Sequence, residues 1–418
     1  MSNAPQRDRG APDLGMGFRE FLILIAALMA VNALGTDTML PALPEIGHSL
    51  GVTVENQRQW IITAYMLGLG IAQLFYGPLG DRYGRKPVVL ISLSLFVVMS
   101  IVATFSTSLE MMVVARFLQG VAAAGSRVLA VSIVRDCYSG RQMARIVSLS
   151  FMVLLAVPIL APSLGQLLMM AFPWEVIFVL FALFGLVMLG WVALRLPETL
   201  HPEYRIAISP SGLLDTARQV LGNRSSLGYA LTSACMFGAM MGFLNSAQQV
   251  FAEVFHATTL FPVIFAGAAG TMAAASYFNS RIVERYGTRR ISHTALCGFI
   301  TISAIHVTAI LAGHESLWTF AICQAVTMGC MGLAGSNFGS MAMEEMGHIA
   351  GTASSIQGFI STVGGALLGL LVGQSFDGTS FPVALGFLCF GVLALAIVFV
   401  TERGRLFHGH HAAPVSVA

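Results

Sequence analysis

Runs of about 20 apolar residues, each long enough to carry a helix across the hydrocarbon core of a bilayer, recur along nearly the whole chain. They fall near 18–42, 59–80, 88–106, 109–133, 146–170 and 174–195, and after a polar stretch near 226–250, 259–281, 291–313, 316–343, 351–375 and 381–402. Most gaps between them are short, so each helix must be followed by an antiparallel neighbour. The expected fold class is all-α: a polytopic membrane protein with twelve transmembrane helices in two six-helix halves. Charge content agrees. Only 10% of the residues are charged and the mean hydropathy is +0.78, whereas a soluble chain carries about 25% charged residues to cover its surface. Such a chain must present its outside to lipid. The 43 Gly, 22 Met and 28 Phe suit helices packed closely in a bilayer.

Orientation follows from the loops, because cytoplasmic loops hold an excess of Lys and Arg. Of the 22 Lys and Arg, Arg58 alone falls in an outer loop, and Arg116 and Arg127 alone fall well inside a span rather than at its end, if the N-terminus is placed inside. All the others then lie on the cytoplasmic side, so both termini are expected there, in the inner (plasma) membrane. Residues 1–17 read as a polar N-terminal tail, with no cleavable signal peptide expected before the first span. The stretch 18–195 reads as the first half, 196–225 as a cytoplasmic linker with a short amphipathic helix near 211–221, 226–402 as the second half and 403–418 as a tail. The halves echo each other. Asp81-Arg82-Tyr83-Gly84-Arg85-Lys86 follows the second span, and Glu284-Arg285-Tyr286-Gly287-Thr288-Arg289 follows the eighth, about half the chain later. A parallel repeat of this kind places a central site at the interface of the halves.

Several classes are set aside. The net charge of +2 forms no patch for nucleic acid. The six cysteines show no CxxC or Cys/His ligand spacing; all but Cys137, placed on a loop, fall inside apolar segments and read as small packing residues. His408, His410 and His411 read as a polar tail, and no metal site or cofactor is expected. An intramembrane enzyme would need a nucleophile–base pair or a metal set. No HExxH or GxSxG occurs, and Gly335-Ser336-Asn337-Phe338-Gly339 has its Ser one place early. The chain is read as not an enzyme.

Ionisable residues that cannot reach water point to function, since burying one in a bilayer costs about 2.5 kcal/mol or far more. Asp37 in the first span, and Arg116 and Arg127 in the fourth, are of this kind. By helix rise, Asp37 and Arg116 both lie roughly 12 Å below the outer boundary, placed either to meet across a cavity or to compete for it. Arg127 follows Arg116 by about three turns, returning to within roughly 20° of the same face about 16 Å deeper. Asp37 is read as the group that takes up and releases a proton, with Arg116 tuning it; a fixed ion pair joining the first and fourth spans is the competing reading. Pro41 and Pro44 follow Asp37 within one turn. They either kink the span and free carbonyls that need polar surroundings or simply mark its outer end.

The loop Gly77-Pro78-Leu79-Gly80-Asp81-Arg82-Tyr83-Gly84-Arg85-Lys86 closely resembles the cytoplasmic gate motif of the major facilitator superfamily, Gly-x-x-x-Asp-Arg-x-Gly-Arg-Lys/Arg. Gly77, Asp81, Arg82, Gly84, Arg85 and Lys86 match it, with Glu284, Arg285 and Gly287 as a degenerate echo. The resemblance implies a charge network that stabilises the outward-open state. Arg116-Phe117-Leu118-Gln119-Gly120 looks like the fourth-helix motif of drug/proton antiporters. Asp37 to Pro44, Ala64-Tyr65 and Gln73 to Pro78 resemble the Bcr/CflA branch, which exports bicyclomycin, chloramphenicol-type amphenicols and other antibiotics. The fifth-span antiporter motif, ending Gly-Pro-x-x-Gly-Gly in the family, appears as Ala161-Pro162-Ser163-Leu164-Gly165-Gln166, preceded by Pro158. Ala161 keeps the close packing; Gln166 and the extra charge of Arg127 depart from the pattern.

The implied activity is proton-coupled efflux of hydrophobic or amphiphilic drug-like molecules by alternating access, by a monomer that takes a small-molecule substrate, protons and the lipid bilayer as partners. An importer or facilitator of a small metabolite is the alternative on the same fold. Beside Asp37, Arg116, Gln119 and Arg127, the candidate substrate-facing residues are Asn32, Tyr65, Gln73, Met236, Phe237, Asn245, Gln324 and Gln357. An interhelical hydrogen bond, or a lipid-facing filler, is an equal reading for any one of them. Met and Phe linings suit unlike ligands because Met repacks readily.

Overall fold

The computed structural model describes residues 15–138, 140–205 and 210–407; the histidines at 408, 410 and 411 lie outside them. No strand occurs among the described residues. The long helices, in chain order, are α1 (Phe18–Asp37), α2 (Trp60–Tyr83), α3 (Arg85–Thr104), α4 (Leu109–Cys137), α5 (Gly140–Met169) and α6 (Glu175–Arg195). After the linker come α7 (Arg224–Gln249), α8 (Phe261–Tyr286), α9 (Thr288–Leu311), α10 (Leu317–Met343), α11 (Ala350–Gln374) and α12 (Phe381–Thr401). Among the described residues 11 helices are long and apolar enough to cross a membrane, and α5, apolar over Ala156–Met169, completes the set. The linker carries a helix over Pro210–Gly222. Cys137, expected on a loop, is instead the buried last residue of α4, because polar residues extend several helices beyond their apolar runs.

Local chemistry sets the helix ends. Ser108, Asn223 and Ser316 cap α4, α7 and α10 by accepting from the backbone N–H of Met111, Ser226 and Thr319, which satisfies donors that the first turn leaves without partners. Gly84 and Gly287 end α2 and α8 at φ of 100° and 79°, a left-handed conformation that a side chain disfavours. The start of α3 is held by Glu198, whose carboxylate accepts from the N–H of Arg85 at 2.9 Å and of Lys86 at 3.3 Å.

Glycines decide which helices touch. A Cβ at Gly68 would lie 2.0 Å from the Phe117 carbonyl, and one at Gly120 2.0 Å from the Tyr65 carbonyl. Thus α2 and α4 meet backbone to backbone, the contact small residues permit in membrane helices. Between the halves, α2 runs against α11: Gly70 faces Thr362 and Val363, and Gly358 faces Gln73. The pair α5 and α8 forms a second seam.

One face of the bundle is arginine-rich and contains the α2–α3 and α8–α9 turns. On the opposite face polar bonds join the halves. Gln59 donates to Gln249 at 2.7 Å and to the Gly373 carbonyl at 2.9 Å. Gln249 donates to Asn56 at 2.9 Å, and Gln374 donates to the Asn56 carbonyl at 2.6 Å. Arg58 pairs with Glu253 at 3.0 Å. This face is closed.

Candidate functional site: a central cavity

A cavity of about 320 Å³ lies between the halves, with walls from α1, α2, α4, α5, α7, α8, α10 and α11. Its volume sits at the lower end of the range for drug-sized ligands, about 300–1,000 Å³. Most of its wall is apolar: Met66, Leu69, Met240, Met241, Phe243 and Phe265 are among the lining residues. The ionisable residues on it are Asp37 and Arg127. Asp37 is only 6% exposed. Arg127 lies deep among the helices yet is accessible, so its guanidinium faces the cavity. Among the described residues neither side chain makes a hydrogen bond or an ion pair.

Asp37 is the last residue of α1. Beyond it the chain turns through a 3₁₀ segment, Leu40–Ala42, and a short helix, Leu43–Ser49, with Pro41 and Pro44 at the starts of these two elements. Prolines cannot donate to the preceding turn, so α1 stops where the carboxylate sits. Helix α5 seats this break: a Cβ at Gly165 would lie 1.9 Å from the Thr38 carbonyl. Of the other antiporter-motif residues, Pro158 lines the cavity and Pro162 is buried beside it in the chain. Gln166 faces a separate recess of about 300 Å³ toward the closed face, with Glu45 and Gln248.

Arg116 corrects one expectation. It does not pair with Asp37. It is wholly buried and donates to the Gly35 carbonyl at 2.7 Å, to the Ile61 carbonyl at 3.3 Å and to Gln119 Oε1. Its guanidinium stacks 4.3 Å from the Tyr65 ring centroid. Gln119 in turn donates to Ser100 Oγ at 2.6 Å. The last carbonyls of a helix lack partners within it and favour a cation; Arg116 therefore serves as a cap on α1, tying it to α2 and α4.

Of the remaining candidates, Asn32 and Phe237 line the cavity. Tyr65 lies behind the wall, its hydroxyl 3.3 Å from the Asn32 carbonyl. Gln73 bonds the Gly70 carbonyl and Thr362 across the α2–α11 seam, and Asn245 bonds Thr63 at 3.5 Å. Gln357 donates to Ser226 and to the Ala342 carbonyl. Met236 and Gln324 are buried and off the lining. Polarity in a span thus picked out residues that join helices as often as residues that face the cavity.

On the arginine-rich face, Arg85 is buried and pairs with Asp81 at 2.7 Å and Asp136 at 2.8 Å. Lys86 donates to the Ala193 carbonyl at 2.9 Å, and Arg82 is exposed over the Tyr83 ring. Gly77 faces Ser355 of α11. In the second half, Glu284 and Arg285 are exposed and form no ion pair among the described residues. The buried cation there is Arg289, 2.8 Å from Glu344 and 2.9 Å from Glu402. Sequence reading missed Asp136, Glu198, Glu344 and Glu402. One signal was available: Glu198 and Glu402 each stand just past the last helix of their half.

A description of the Major Facilitator Superfamily matches residues 25–369. The chain is 32% identical over 384 residues to an uncharacterized MFS-type transporter, YdgK, of Bacillus subtilis, covering 90% of this chain and 91% of that one. It is 29% identical to a bicyclomycin resistance protein homolog of Haemophilus influenzae, over 93% of this chain and 98% of the relative. Identity to multidrug resistance protein D of Escherichia coli is 28%, over 84% and 87%. Among solved structures, a D-xylose–proton symporter superposes with a TM-score of 0.72 at 14% identity, covering 93% of this chain and 98% of that one.

Proposed function

The chain belongs to the Major Facilitator Superfamily, and from that premise we propose that it exports hydrophobic or amphiphilic drug-like molecules in exchange for protons, by alternating access. The carrying observation is that Asp37 and Arg127 share the wall of one otherwise apolar cavity between the halves. Relatives named for bicyclomycin and multidrug resistance support the substrate class.

An ionised carboxylate with no ion-pair partner in a low-dielectric wall is costly, and a proton removes that cost. Asp37 binds the proton at the break of α1, and the Arg127 cation competes with it. Arg116 is a positioning residue: by holding the Gly35 carbonyl it sets where the Asp37 carboxylate stands. Substrate entering the cavity displaces water beside both charges, which couples its binding to proton release. Apolar Met and Phe side chains supply adaptable contact.

The excess of arginine on one face supports its assignment to the cytoplasm, with both termini inside and the protein in the inner membrane. In that orientation the closed face is periplasmic. Its Asn56, Gln59, Gln249 and Gln374 bonds must break for the cavity to open outward, and the Arg85 and Arg289 ion-pair clusters brace the opposite face. One chain supplies every wall of the cavity, which supports a working monomer.

The test is substrate-dependent proton release from proteoliposomes, with chloramphenicol-type and cationic drugs. The parent should release protons on drug addition and Asp37→Asn should not. Export by Asp37→Asn under a proton gradient alone would overturn the coupling assignment.

A further inference from the structure

A recess of about 570 Å³ opens on the arginine-rich face between the start of α7 and the end of α12. Arg224, Arg289, Arg403 and Arg405 contribute to it, against Glu345 and Glu402. Arg289 is neutralised by Glu344 and Glu402, and Glu345 accepts from the side chain of Asn223. Arg224, Arg403 and Arg405 are exposed, and among the described residues their side chains form no ion pair or hydrogen bond. The recess therefore holds a surplus of positive charge.

It also continues into the membrane. A second groove, of about 370 Å³, shares Arg224 and Thr401 with the recess and runs between the same two helices. Its walls are apolar: Leu227, Leu231, Ile397 and Val400 line it. The helices can approach here because Gly228 has no side chain to strike Thr401, whose Oγ1 would lie 2.0 Å from a Cβ. A cationic recess at the membrane face, joined end to end with an apolar groove along two spans, has the shape and polarity of one amphiphile: an anionic head with a hydrocarbon tail. Arginine alone at this depth needs no ligand, since positive residues favour that side; the continuous groove is what such a bias does not explain.

We propose that this is a binding site for one anionic phospholipid, its phosphate held by Arg224, Arg403 and Arg405 and one acyl chain lying in the α7–α12 groove. Basic pockets at helix ends recognise such headgroups.

The test is native mass spectrometry of the full chain delipidated in detergent and titrated with phosphatidylglycerol or phosphatidylcholine of matched chains, and separately with inorganic phosphate. Phosphatidylglycerol should be retained preferentially. In Arg224→Gln/Arg403→Gln/Arg405→Gln that retention should fall by about a hundredfold, taking the usual attraction per arginine. Leu231→Trp, which fills the groove, should weaken the lipid without this loss of charge. Equal retention of the two lipids, or no loss in the triple variant, would overturn the site. Displacement of phosphatidylglycerol by inorganic phosphate alone, with Leu231→Trp inert, would make it a simple anion site. If the triple variant does not fold, Arg403→Gln and Arg405→Gln singly, both exposed, carry the same comparison.

Discussion

The Arg116 guanidinium donates to the Gly35 carbonyl at 2.7 Å, two residues before Asp37, and leaves the carboxylate itself alone. A charge that the sequence offers as a counter-ion is thus used to hold backbone. Arg116→Ala should cost about 1–3 kcal/mol for each buried acceptor left without a donor, here the Gly35 and Ile61 carbonyls and Gln119. Thermal unfolding in detergent should show a clear drop, and Arg116→Lys, which cannot reach all three, should recover only part of it.

Arg127 should behave in the opposite sense. It faces the cavity without an ion pair or hydrogen bond among the described residues, and the proposed function makes it a group that costs stability in exchange for use. Arg127→Ala is expected to raise the melting temperature while lowering substrate binding and transport, the trade-off common at functional sites. A loss of stability equal to that of Arg116→Ala would count against this reading.

The α2–α4 contact gives a steric test. Gly120→Ala puts a methyl group about 2.0 Å from the Tyr65 carbonyl, and backbone cannot move aside cheaply. Overpacking costs about 1–3 kcal/mol or more, and folded yield should collapse. Gly190→Ala, with nothing within 4 Å of the new Cβ, should match the parent in size-exclusion profile.

The seal on the face opposite the arginines should be separable from the site. Gln59→Ala with Gln374→Ala removes donors to Gln249, Gly373 and Asn56. A cysteine placed in the cavity by Thr36→Cys should then react several-fold faster with a membrane-impermeant maleimide added from that face. Unchanged labelling would mean that packing, not these bonds, closes it.

Glu402, just past α12, gives a pH signature. Burial raises its pKa, but hydrogen bonds from Tyr229 and Arg289 outweigh burial, and the net shift is downward. A carboxyl whose folded pKa lies below its unfolded value stabilises above the ordinary carboxylate range, and that contribution is lost as pH falls through the folded value. Glu402→Gln should therefore flatten the acid limb of stability against pH and cost most at neutral pH.

The all-α class, the spans, their even number and the sidedness of the charges are legible in the sequence because each follows from a one-dimensional quantity: run length, polarity and loop arginine. The rarity of Asp37 and Arg127 among apolar residues was equally plain, since a bilayer makes any charge conspicuous. Which partner each charge takes was not. Arg116 chose carbonyl oxygens, which every residue carries and no sequence marks. Gln357 and Gln73 turned out to join helices, whereas Met240, Phe243 and Phe265, ordinary span residues, line the cavity. Helical periodicity says which residues share a face; only the packing of twelve helices, set by contacts such as Gly68 on Phe117 and Gly165 on Thr38, decides what each face meets.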